Sequence, residues 1–164
     1  MDRAEYLSGV RELFYQGEVL GEAFSSRALG LETDPMLRYK WGCLLQLETE
    51  TKARLRPFIA RLGLSIEEAD VSSQVDAAFE SWAGKSWREH MEELVGITDF
   101  YLGKFRELEA AAPADERAVA SAMVKHETAI NVFARRELAG DSDHSVDLMV
   151  AELLYPLPRP GAAA

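Results

Sequence analysis

Five side chains carry the chemistry this sequence could do. They are Glu18, Glu48, His90, His126 and Glu127. Each falls within a segment whose apolar residues repeat at three- and four-residue steps, the spacing that puts them on one helical face. The clearest case is KHETAINVFARRELAG, residues 125–140. Its stripe runs through Ile130, Phe133 and Ala134, with His126 on it, Glu127 on its flank and Glu137 further along. In the second long segment Leu37, Trp41, Leu44, Thr51, Leu55 and Leu62 form a stripe, and Glu48 falls in the same series. In the first, Tyr6, Val10, Leu13, Gly17, Leu20 and Phe24 define the face, with Glu18 at its edge. In the third, His90 borders Trp87, Met91, Leu94, Thr98, Tyr101, Phe105 and Leu108. An isolated buried carboxylate costs several kcal/mol unless it is paired or ligated. Acids and imidazoles on four inner faces therefore point to one shared polar pocket, and carboxylate with imidazole is a donor set for a divalent metal. The catalytic residues of any reaction stay unknown at this level.

Four long helices must position those groups, over about 4–29, 35–62, 86–111 and 114–139. At ~1.5 Å per residue each is about 39 Å long. Asp34 caps the second and Pro35 opens it, Gly63 closes it, and Gly140 ends the fourth. Ser65 with Glu68, and Ser86 with Glu89, read as capping boxes. Short loops make helices one and two, and three and four, antiparallel neighbours. Residues 63–85 contain a shorter helix carrying Val71, Val75, Ala78, Phe79 and Trp82, long enough with its extended ends to cross from one end of the molecule to the other. A last short helix is expected at about 144–154. Gly17 and Gly21 leave a notch where a helix or a ligand can approach.

This organisation resembles the ferritin-like superfamily, with LLQLETETKARL similar to the second helix of such proteins and KHETAINVFARRELAG to the last. The resemblance covers about residues 4–140 and implies an all-α, ferritin-like four-helix bundle with a helical crossover between helices two and three; with a short C-terminal helix, a single helical-bundle domain is expected over residues 1–155. Residues 156–164 read as a Pro/Ala-rich tail, with a frayed GAAA end. Di-iron members take one Glu from each of two helices and Glu-x-x-His from each of the other two. Here Glu48 and Glu127 match the Glu positions, Glu18 stands for a lone Glu, and the two His positions hold Thr51 and Ile130. Both motifs are incomplete. The resemblance therefore implies a divergent protein without a standard di-iron centre, binding a small molecule or a non-standard metal (iron or another divalent ion) on Glu18, Glu48, His90, His126 and Glu127. The alternatives are a metal-dependent oxidoreductase of the same type and a non-catalytic dimeric interaction module.

Composition narrows the partners. The chain has 164 residues, 48% hydrophobic and 28% charged, which suits one globular domain. Its net charge of −10 argues against nucleic acid and anionic lipid. No apolar run reaches the ~18–20 residues of a membrane span, and the start MDRAEYLSG lacks signal-peptide character, so a cytoplasmic location is the expectation. A homodimer, associating through an exposed apolar stripe, is the expected assembly. Cys43 reads as a buried inert thiol, His144 as a solvated turn residue, and the bases Lys52, Arg54, Arg56 and Arg61 as a solvated face.

Overall fold

The computed structural model describes residues 1–161 and is all-helical. Helix α1 runs without a break over residues 3–31, but it changes pitch on the way. It is α-helical over Arg3–Gly9, a π-helix over Val10–Tyr15 and α-helical again over Gln16–Leu31. The others are α2 (Pro35–Arg61), α3 (Ser72–Trp82), α4 (Trp87–Ala111), α5 (Arg117–Ala139) and α6 (Asp147–Glu152). The local signals explain most ends. Asp34 accepts from the backbone N–H of Met36 and Leu37, both at 2.9 Å, and Pro35 follows it. Ser86 and Glu89 form the expected capping box. Gly140 ends α5 in the left-handed conformation, at φ 81°.

The core has two apolar clusters, one towards each end of the long helices. One contains Tyr6, Val10 and Phe14 of α1, Leu55 and Ile59 of α2, Phe105 and Leu108 of α4, and Met123 of α5. The other contains Ala28, Trp41, Leu44, Leu47, Met91, Ile130, Phe133 and Met149. The order in which each helix visits them sets its direction. Helices α1 and α5 run one way, and α2 and α4 the other. Glu18, Glu48, Thr51, Thr98 and His126 lie between the clusters along their helices and are all buried. A polar layer thus separates the two apolar clusters.

Helix α1 departs from its expected face for a physical reason. Within the π segment the backbone N–H of Gln16 bonds to the carbonyl of Arg11, five residues back instead of four. The wider turn takes up one extra residue, so the inner line moves one position along the chain. It passes through Phe14 and Glu18 to Ser25 instead of Leu13, Gly17 and Phe24. Phe14, Glu18 and Ser25 are buried, while Leu13, Leu20 and Phe24 are only half-buried.

The link from α2 to α4 carries α3 over the second half of α1. Arg27 pairs with Asp76, and Phe24 meets Phe79 at a ring-centroid distance of 5.0 Å. The extended approach to α3 is tied to α1: the Tyr15 hydroxyl donates to the Ile66 carbonyl at 2.9 Å, and Gln16 bonds Glu67 and Ala69. The expected capping box at Ser65 and Glu68 is absent, because no helix starts there. Ser65 instead accepts from the Glu67 N–H, and Glu68 pairs with Lys52 and Arg56. Those bases are not all a solvated face either. Lys52 is buried and bonds both Glu22 and Glu68, while Arg54 pairs with Glu50.

The tail is anchored over part of its length. Glu50 accepts from the N–H groups of Leu154 and Tyr155, Leu157 packs over Gly42, and Arg159 bonds Asp143. Of the expected frayed end, Ala162, Ala163 and Ala164 lie outside the described residues. No helix among the described residues is long and apolar enough to cross a membrane.

Candidate metal centre

Three of the five proposed ligands meet in the polar layer. Glu18 from α1, Glu48 from α2 and His126 from α5 each offer a donor atom, and these atoms lie within 4.8 Å of one another. The Nε2 atom of His126 is 3.3 Å from a Glu18 carboxylate oxygen and 3.6 Å from one of Glu48. Donors bound at ~2.1 Å with tetrahedral angles stand ~3.4 Å apart, so the spacing fits a single first-row ion. The second oxygen of Glu18 is buried with no hydrogen-bond partner. A buried orphan oxygen of this kind needs a ligand, a water or an ion.

The other face of the imidazole is also held. His126 Nδ1 lies 3.1 Å from the Thr51 hydroxyl oxygen. When Nδ1–H donates to Thr51, the Nε2 lone pair faces the two carboxylates, which is the tautomer a metal requires. Thr51 therefore acts on the site through the histidine and does not replace one.

Electrostatics favour a cation here. Burial, with the Glu48 charge close by, pushes the Glu18 carboxyl well above its ordinary range. Burial raises Glu48 to about 7, partly offset by its hydrogen bond with Glu18. Burial and then the Glu48 charge raise Glu127 to about 8. Burial, helped by the charge of Arg54, lowers His126 to about 3 and keeps the imidazole neutral. Without a cation these acids hold protons near neutral pH. A divalent ion would displace the protons and relieve the charge together.

The remaining residues divide plainly. Glu127 is buried and lines the same cavity as Glu18 and Glu48, but it stands outside the three-residue cluster. His90 is not brought into the site. Its ring stacks on Trp82 with centroids 4.1 Å apart, and its Nε2 lies 3.2 Å from the Trp82 carbonyl oxygen. Near the start of α4 it sits at the level of the crossover helix, not of the polar layer. Glu137 belongs to a separate buried group, paired with Lys40 and accepting from the Trp87 indole N–H at 2.8 Å. Burial raises its pKa, but the bonds from Lys40, Ser145 and Trp87 outweigh that and hold it low. Cys43 is buried, as expected, and burial raises its thiol. His144 is exposed beside Asp147.

Two cavities flank the centre. One, of about 280 Å³, lies between α1, α3 and α4 and reaches Glu18, Glu48 and His126. The other, of about 230 Å³, lies between α2 and α5 and reaches Thr51 and His126. Sequence periodicity did not reveal the π segment, the Thr51 contact or the fit of Glu48 at Gly21. The one available signal was that Tyr6, Val10 and Phe14 make as good an apolar line as Tyr6, Val10 and Leu13. Compared with known proteins, the chain matches no family model, no curated protein and no solved structure.

Proposed function

We propose that this chain is a divergent ferritin-like protein that holds one divalent transition-metal ion on Glu18, Glu48 and His126, beside a cavity for a small molecule. The observation that carries the reading is the convergence of two carboxylates and a neutral imidazole from three helices around a buried, unpartnered Glu18 oxygen. The helix directions support the ferritin-like part. Two antiparallel pairs are joined by a link that returns along the whole length of the molecule and carries α3. A standard di-iron centre does not fit these residues. Ile130 has no donor atom, and Thr51 is engaged with His126 Nδ1.

One imidazole and two carboxylates suit iron(II), manganese(II) or zinc better than a soft, thiolate-seeking ion. When bound, the ion would act as a Lewis acid towards an oxygen donor reaching it from the larger cavity. The protein's own contribution is to fix the donors and hold the histidine tautomer through Thr51. The test is metal content per chain after growth or reconstitution with iron, manganese or zinc. The expected result is about one ion per chain for the wild type and less than a tenth of that for Glu48→Gln. Equal low occupancy in both would leave a proton-sharing Glu–His network as the function of these residues in the fold.

A further inference from the structure

The larger cavity contains a second buried polar atom without a partner. Ser25 lies on the inner line of α1, is 1% exposed, and its hydroxyl makes no hydrogen bond. Glu18 and Ser25 both line this cavity, and each leaves an oxygen unmet. Seven residues at ~1.5 Å per residue separate the two by ~10 Å along the helix. The rest of the wall is largely apolar and partly aromatic, with Phe24, Trp82, Leu94, Tyr101 and Phe105. Phe24 and Trp82 already meet edge to face, with centroids 4.8 Å apart. No lysine or arginine lines the cavity, whereas Glu18, Glu48, Glu93 and Glu127 do.

From these features we infer that the cavity binds a neutral, largely aromatic molecule carrying a hydrogen-bonding group at each end. One end pairs with the Ser25 hydroxyl and the other with the Glu18 carboxyl or the ion beside it. The metal reading enters only at this second end. Size follows from volume. A dry cavity of ~150 Å³ holds benzene, so about 280 Å³ suits about eleven non-hydrogen atoms. Charge follows from the wall: an anion would meet acids and no base. A neutral ligand brings no charge into this largely apolar wall, so none has to be compensated there. Aromatic character follows from the edge-to-face surface already presented by the wall.

Gly17 supplies a control. It lines the cavity, and a Cβ built there meets nothing within 4 Å. Gly17→Leu should fill the cavity without disturbing the helix. The experiment is calorimetric titration with three probes on one scaffold: 4-(2-hydroxyethyl)phenol, its ammonium analogue tyramine and its anionic analogue 4-hydroxyphenylacetate. Manganese(II) binding is measured separately on each variant. The expected result is sub-millimolar binding of the neutral probe, about tenfold weakening by Ser25→Ala, and loss by Gly17→Leu with folding and manganese stoichiometry unchanged. Tighter binding of either charged probe, undiminished binding to Gly17→Leu, or no binding of the neutral probe to folded, metal-competent protein would each overturn the inference. If manganese does not bind but the neutral probe does, and Gly17→Leu blocks it, the metal reading fails while the cavity assignment stands.

Discussion

The Glu48 carboxyl group lies against the backbone of Gly21, so close that a Cβ added at residue 21 would stand 2.6 Å from its carboxyl carbon. The acid from α2 thus occupies the space that a side chain on α1 would fill. One turn earlier, Gly17 faces open cavity. Two glycines on one helix have opposite surroundings, and their substitutions should separate accordingly.

Gly17→Ala should stabilise the protein by about 0.5–1 kcal/mol, because alanine is the better helix former and nothing obstructs its methyl group. Gly21→Ala should destabilise it by about 1–3 kcal/mol, the cost of overpacking a filled space. It should also weaken metal binding at least tenfold, since Glu48 must move. Urea denaturation and a metal titration of the two variants check both signs. Equal behaviour of the two variants would refute the placement of Glu48.

Thr51 should act as a positioning residue. Thr51→Val removes the oxygen beside His126 Nδ1 while keeping the shape, and metal affinity should fall about 10–100-fold. Thr51→Ser should keep most of it. Because Thr51 contacts no ion in this arrangement, loss without rescue by serine would point to packing instead.

The pH dependence has a definite sign. Glu48 and Glu127, raised to about 7 and about 8, and Glu18, held well above the ordinary carboxylate range by burial, bind protons in the native state that the unfolded chain has released above pH ~5. Their contribution to stability is full below the unfolded carboxylate range and is lost as pH rises through the folded values. His126, lowered to about 3, works the other way: its contribution is full above pH ~6.5 and is lost as pH falls. Well above pH 6.5 the His126 contribution is nearly complete, so towards pH 8 the three acids dominate the change among these four groups. Metal-free protein should therefore lose stability there, at about 1.4 kcal/mol per pH unit for each proton retained. Glu48→Gln should flatten that slope, and saturating divalent metal should remove the part that belongs to Glu18 and Glu48. Chemical denaturation at pH 6.5, 7.25 and 8.0, with and without metal, measures the effect.

Lys40 and Glu137 form an ion pair almost fully removed from solvent. Lys40→Met would strand a buried carboxylate and should cost about 3–5 kcal/mol, while Lys40→Met with Glu137→Met should recover much of the loss. Metal stoichiometry should be unchanged in both, because this group is separate from Glu18, Glu48 and His126. A double-mutant cycle by thermal unfolding reads the coupling.

Local patterning in the sequence determined the helical class, the caps at Asp34 and Ser86, the break at Gly140 and the inward faces of α2 and α5. Those features depend on neighbours within a turn or two, so the order of residues is enough to encode them. It also placed Glu48 and His126 inside, and they are inside. Tertiary structure decided the rest. The π segment of α1 depends on how Phe14 and Tyr15 pack against other helices, and it shifts the buried line onto Glu18, leaving Gly17 half-buried at the cavity wall. His90 shares its helix border with inward residues, yet the crossover helix claims it by offering Trp82 as a stacking partner. Whether a buried acid meets an imidazole, a lysine or a glycine depends on partners tens of residues away, and periodicity within a single helix carries no information about them.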